Sequence, residues 1–159
     1  MEGIWGAGKS TFIQRGMGSN DVWIPEPMHI WTADRLSGND LERWYFEAHM
    51  SNIRAAQEWL DMADCVYIER CPASTLAFSR AVLGKREDEV NDLRQEFRSS
   101  IEKLHSVCVV VSARDIDRTI CDMRENAYLH EFASKESLLR LERILKEELE
   151  QAFSQVIYV

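Results

Sequence analysis

The sequence is short of positive charge. Nineteen Lys and Arg stand against 27 Asp and Glu, for a net charge of −8. A nucleic-acid or anionic-membrane binding face needs the opposite balance, so neither partner is expected. Long apolar runs are missing too. Nothing approaches the roughly 20 residues of a bilayer span, and no stretch reads as a secretory leader. The four cysteines, Cys65, Cys71, Cys108 and Cys121, form neither a CxxC pair nor a zinc-ligand spacing. Cys65 and Cys108 fall in apolar, strand-like runs and are expected as buried free thiols. With no disulfide framework, a reducing cytoplasmic or nuclear setting is the default. No repeat, linker or low-complexity segment divides the 159 residues, a length that suits one domain, 1–159.

What the chain does have is alternation. Short β-branched runs lie at Asp21–Ile24, Cys65–Ile68, Val107–Val111 and Val156–Val159. Such runs suit parallel strands buried on both faces. Helical stretches are expected from residue 9, from about Asn39, and over 73–83, 87–104, 115–125 and 135–153. Asn39 is a candidate N-cap with Glu42 three residues on. Leu41, Trp44, Ala48, Ala55, Trp59 and Leu60 form the apolar stripe of that long helix, and Leu138, Leu141, Leu145 and Leu149 that of the last one. The pattern predicts an α/β fold with a mainly parallel sheet.

Three local patterns carry chemistry. Gly3 to Ser10 fits G-x-x-x-x-G-K-[ST] at every fixed position. In such a loop Gly3, Gly6, Ala7, Gly8 and Thr11 offer backbone N–H groups to phosphates. Lys9 reaches the terminal phosphates, and Ser10 ligates Mg²⁺ at a helix N-terminus. Next, Glu26 lies between Pro25 and Pro27 at the end of a strand. It is either a rigidly held general base or a solvated acid in a turn. Then Glu69 and Arg70 close the second apolar run, either at the ligand-binding carboxyl end of a sheet or as a surface ion pair.

Taken in order, Gly3–Ser10, Val22 to Trp31 (containing Pro25, Glu26, Pro27 and Met28) and Tyr67 to Pro72 resemble the deoxyribonucleoside kinase family. The likeness is nearest to the herpesvirus-type thymidine kinases. It implies a P-loop nucleoside kinase-like three-layer fold. It implies ATP and Mg²⁺ as cofactors, a small nucleoside as substrate, and a homodimer paired through helices. The setting would be cytoplasmic, or the host cytoplasm or nucleus for a viral protein. By the resemblance, Glu26 accepts the proton of the 5′-hydroxyl and Arg70 holds Glu26 and the 5′-oxygen. Glu69 orients Mg²⁺ alongside Ser10. Arg118 and Arg124 act as lid arginines within about 114–134. Trp31, Glu47, Arg54 and Thr75 line the nucleoside pocket.

The sequence departs from the family in the nucleoside pocket, in the lid and ahead of the glycine loop. Glu47 stands where the family carries a base-reading Gln, as an acceptor for a base amino group or an exposed acid. Thr75 replaces the acid of cytidine-preferring relatives, which leans toward thymidine. In the lid, Asp122 stands where an Arg is expected, repelling phosphate or facing Arg118. Finally, only Met1 and Glu2 precede the glycine loop, where a central strand belongs. That slot is filled either by sequence upstream of a shortened start, the expected case, or by another segment. A nucleoside monophosphate kinase of thymidylate type and a catalytically degenerate nucleotide-binding module are the two alternative readings.

Overall fold

The computed structural model describes residues 1–4, 7–27, 36, 38–102, 104, 106–112, 115–125 and 133–159. Gly6, Trp31, Arg114 and residues 126–132 of the expected lid lie outside that set. The order is α1 (Lys9–Gly16), β1 (Val22–Ile24), α2 (Gly38–Trp59), β2 (Val66–Ile68), α3 (Pro72–Ala81), α4 (Asn91–Ile101), β3 (Cys108–Val110), α5 (Ile116–Arg124), α6 (Lys135–Ala152) and β4 (Val156–Tyr158). A 3-10 turn, Asp88–Val90, leads into α4. This is the mixed α/β architecture that the alternation predicts.

The strands pair in parallel. β1 and β2 align Val22 with Val66 and Ile24 with Ile68, while β3 and β4 align Cys108 with Val156 and Val110 with Tyr158. Between the two pairs lies the N-terminal segment. Met1 N donates to Ile68 O at 2.7 Å, and Arg70 N donates to Met1 O at 2.8 Å. On the other side, Glu2 N donates to Val109 O at 2.8 Å and Val111 N to Glu2 O at 2.9 Å. Glu2 thus forms a parallel bridge to Val110. The hydrogen-bond ladder runs β1–β2–(1–3)–β3–β4. This short segment occupies the slot where a central strand belongs: Met1 pairs with Ile68 O and Arg70 N on one side, and Glu2 with Val109 O and Val111 N on the other.

The helices pack as amphipathic elements around one core. α6 starts at the N-cap Ser134, whose hydroxyl accepts from Ser137 N, and buries Leu138, Leu141, Ile144, Leu145 and Leu149. α3 opens with Pro72, whose fixed φ and absent N–H suit a first helical position. Phe46, Leu76, Val90, Phe97 and Leu149 are fully buried together. Each such side chain contributes roughly 1.5–3 kcal/mol by leaving water. One polar knot crosses this packing. Glu148 on α6 accepts from Arg94 of α4 at 2.8 Å through both oxygens and from Arg80 of α3 at 2.7 Å. Burial alone would raise the Glu148 pKa, but hydrogen bonds from Arg94 and Arg80 outweigh it and hold the carboxyl ionised.

Four expectations are corrected. The buried face of α2 is Phe46, Met50, Ile53 and Ala56, with Glu42 and His49, not the stripe through Trp44 and Trp59. Trp59 and Leu60 end the helix exposed. The helix begins at Gly38, so Asn39 lies within its first turn, and Glu42 pairs with Lys85. Cys65 lies just before β2 rather than in it and is exposed, as is Asp64 beside it; Cys108, inside β3, is buried as expected. Burial on both faces is not general: β1 and β2 are half-buried throughout, Cys108 and Val110 of β3 are buried, and Ile157 and Tyr158 of β4 are exposed. Among the described residues, no helix is long and apolar enough to cross a membrane.

Candidate functional site

At the carboxyl ends of β1, β2 and the N-terminal segment, a cavity of about 330 Å³ opens over the start of α1. Gly8, Lys9, Ser10 and Thr11 line one side, and Glu26, Glu69 and Arg70 the other. The topology explains the meeting. β1 and β2 are parallel neighbours in register, so Glu26, just beyond Ile24, and Glu69, just beyond Ile68, emerge side by side. Glu69 N donates to Ile24 O at 2.8 Å and extends that ladder by one step.

The glycine loop needs its glycines for two reasons. Gly3 has φ of +141°, and a Cβ there would sit 2.3 Å from Val111 O. Gly8 has φ of +89°, and none of the described residues comes within 4 Å of the position of a Cβ, which leaves that side open to an approaching ligand. Immediately after it α1 begins, its first N–H groups unpaired within the helix and its dipole favouring an anion.

Lys9 is 6% exposed, and its Nζ donates to Ile4 O at 3.2 Å. Burial, with help from the Arg70 charge, lowers its pKa to about 8 against the pull of Glu26, Glu2 and Glu69. Ser10 Oγ donates to Glu69 Oε1 at 2.7 Å. These two oxygen groups, a hydroxyl and a carboxylate, match a hard divalent cation that keeps most of its waters and phosphate oxygens. Among the described residues, no larger group of His, Cys, Asp or Glu gathers for a metal.

Glu26 and Arg70 form the second half. Arg70 Nε lies 2.7 Å from Glu26 Oε1, with the arginine side chain 7% exposed and the glutamate 39%. Partial burial would raise the Glu26 pKa, but the Arg70 charge and hydrogen bond, with Lys9 and His49, bring it below the usual carboxylate value. Glu26 is thus an ionised acceptor at an open edge. Asn52 on α2 fixes its approach by donating to Pro25 O at 3.0 Å. Arg70 itself has φ of +65°, an unfavourable region for a residue with a side chain.

No family model matches the chain, and no curated protein matches it. The site therefore rests on its own geometry.

Of the residues expected at a site, Lys9, Ser10, Thr11, Glu26, Glu69 and Arg70 line this cavity, with Gly8. Gly3 and Ala7 belong to the loop beneath it, while Gly6 and Trp31 fall outside the described residues. Glu47 pairs with Arg43 at 2.5 Å on the surface of α2. Arg54 donates to Ser51 Oγ at 2.9 Å, also on the surface. Thr75 is buried in α3, with an Oγ1 that lacks a partner among the described residues. Arg118 and Arg124 are exposed on α5, as is Asp122, and none of the three lines the cavity.

Sequence reading passed over two residues near the site. Glu2 is 1% exposed inside the ladder. His49 is 3% exposed, stacks on Tyr45, and has an Nδ1 without a partner among the described residues. Burial lowers the His49 pKa to about 4, with Glu2, Arg70 and Glu26 as its charged neighbours. A polar residue one turn before Asn52, on the face that meets Pro25, was the available signal for His49. A charged residue directly against the glycine loop was the signal for Glu2.

Proposed function

We propose that the protein is a deoxyribonucleoside kinase of P-loop type, transferring the γ-phosphoryl group of ATP to a nucleoside 5′-hydroxyl. The observation that carries this reading is the convergence of Lys9, Ser10, Glu26, Glu69 and Arg70 on one cavity at the carboxyl ends of parallel strands. The ladder order β1–β2–(1–3)–β3–β4, with the glycine loop leaving the central segment, supports a P-loop kinase fold.

In this reading the loop from Gly3 to Thr11 and the α1 N-terminus hold the phosphates of ATP, and Lys9 neutralises the terminal ones. Ser10 and Glu69 would hold Mg²⁺, which when bound supplies charge neutralisation on the phosphates. The 5′-oxygen bonds to the γ-phosphorus while the bond to the β,γ-bridging oxygen breaks, and ADP leaves. Glu26 takes the hydroxyl proton. Arg70 keeps that carboxylate ionised and aimed, and adds positive charge beside the transferred group. Arg118 and Arg124 would join only from a lid that moves toward the cavity, and thymidine is the first acceptor to test.

The test is transfer of labelled γ-phosphate to a panel of deoxynucleosides, run beside the matching monophosphates. Labelled nucleoside monophosphate supports the reading. Transfer only to monophosphates replaces it with a monophosphate kinase. Tight ATP binding without turnover replaces it with a nucleotide-binding module.

A further inference from the structure

Glu2 and Ser74 make contacts that a strand and a helix do not need for their own hydrogen bonding. Glu2 lies in the middle of the ladder, yet its carboxylate turns toward the start of α3 rather than into apolar packing. Oε1 accepts from Cys71 N at 2.5 Å, and Oε2 accepts from the Ser74 hydroxyl at 2.7 Å. Since the Ser74 proton is committed to Glu2, the Ser74 oxygen is left as an acceptor. Arg70 Nη1 donates to that oxygen at 3.1 Å and to Gly3 O at 3.1 Å. The far side of the same guanidinium then presents Nε to Glu26.

The backbone is held by the same group. Arg70 occupies the left-handed region, and such a conformation persists only where its surroundings over-determine it. Its N–H is fixed by Met1 O, and the next N–H, that of Cys71, by Glu2. Both sides of the unfavourable residue are therefore tied to the N-terminal segment.

We propose that Glu2 and Ser74 are positioning residues, a strut that locks the Arg70 guanidinium and backbone so that Arg70 meets Glu26 in one geometry. The proposal rests on the kinase reading for its consequence in catalysis, but not for its geometry. It adds to that reading a coupling between the phosphate loop and the acceptor base, since Glu2 and Gly3 belong to the segment that becomes the loop.

Ser74→Ala removes the relay without removing a charge, Ser74→Thr keeps the hydroxyl, and Glu2→Gln removes the charge. In ¹⁵N-labelled protein, solvent exchange of the Arg70 Nε–H signal reads the lock directly. It should speed up by about tenfold or more in Ser74→Ala and Glu2→Gln, the scale of a hydrogen bond to a charged group, and return toward wild type in Ser74→Thr. In the same proteins kcat should fall by about tenfold while KM for ATP holds. Unchanged Arg70 Nε–H exchange in folded Ser74→Ala overturns the strut. If the wild type transfers no phosphate, the kinase reading fails, and the exchange measurement still decides the strut. If Glu2→Gln does not fold, the two Ser74 variants carry the test.

Discussion

Protonation of His49 should cost the folded protein a measurable share of its stability. Burial takes its pKa from 6.5 to about 4, with Arg70 adding to the effect and Glu2 and Glu26 opposing it. The unfolded chain therefore binds a proton at a pH where the folded chain does not. Stability from this group is complete above about pH 6.5, falls as the pH drops, and levels off near 4. At 1.36 kcal/mol per pH unit, the loss between pH 7 and pH 5 is about 2 kcal/mol. Glu26 and Glu148 have lowered pKa values, so both stay ionised across that window and add little to it. Urea unfolding at pH 7, 6 and 5 measures the effect. For a domain of this size the wild-type midpoint should fall by roughly 1 M, and that of His49→Gln by much less. Equal losses in the two proteins would refute the reasoning. So would a His49 ring signal in nuclear magnetic resonance that titrates near 6.5.

Two further outcomes follow from buried charges. Lys9, with a pKa of about 8, is half neutral at pH 8, and bound phosphate favours its charged form. ATP binding at pH 8 should take up about half a proton, seen by calorimetry in buffers of different ionisation enthalpy, and much less at pH 7. Glu148→Gln leaves Arg94 and Arg80 facing a neutral partner in the knot between α3, α4 and α6. It should lower unfolding free energy by about 3–5 kcal/mol in denaturant titration.

Local signals were the legible ones. The glycine pattern, the prolines around Glu26 and the short β-branched runs each act over a few residues, so strands and helices fall where they are expected. Glu26 and Glu69 each mark the end of an apolar run, but that their strands are neighbours shows only in the fold. Non-local contacts were not legible. Nothing near Glu2 in the sequence announces Ser74 or Cys71 as its partners, because they meet only once β2 lies beside the N-terminal segment. The buried face of α2 differs from its apolar stripe for a related reason. Trp44 and Trp59 are its largest apolar residues, but what α2 packs against selects Phe46, Met50 and Ile53 instead. The same packing buries His49 on that face.

The central claim is that Glu26 is the base of a phosphoryl transfer whose phosphates sit on the Gly3–Ser10 loop. The most direct measurement is the rate of γ-phosphoryl transfer from ATP to deoxynucleosides, thymidine first, by wild type and Glu26→Gln side by side. The wild type should transfer phosphate, kcat should be about 10²–10⁴ lower in the variant, and ATP affinity should be nearly unchanged. Transfer that survives intact in Glu26→Gln, or a folded, ATP-binding wild type that phosphorylates none of them, would contradict that claim.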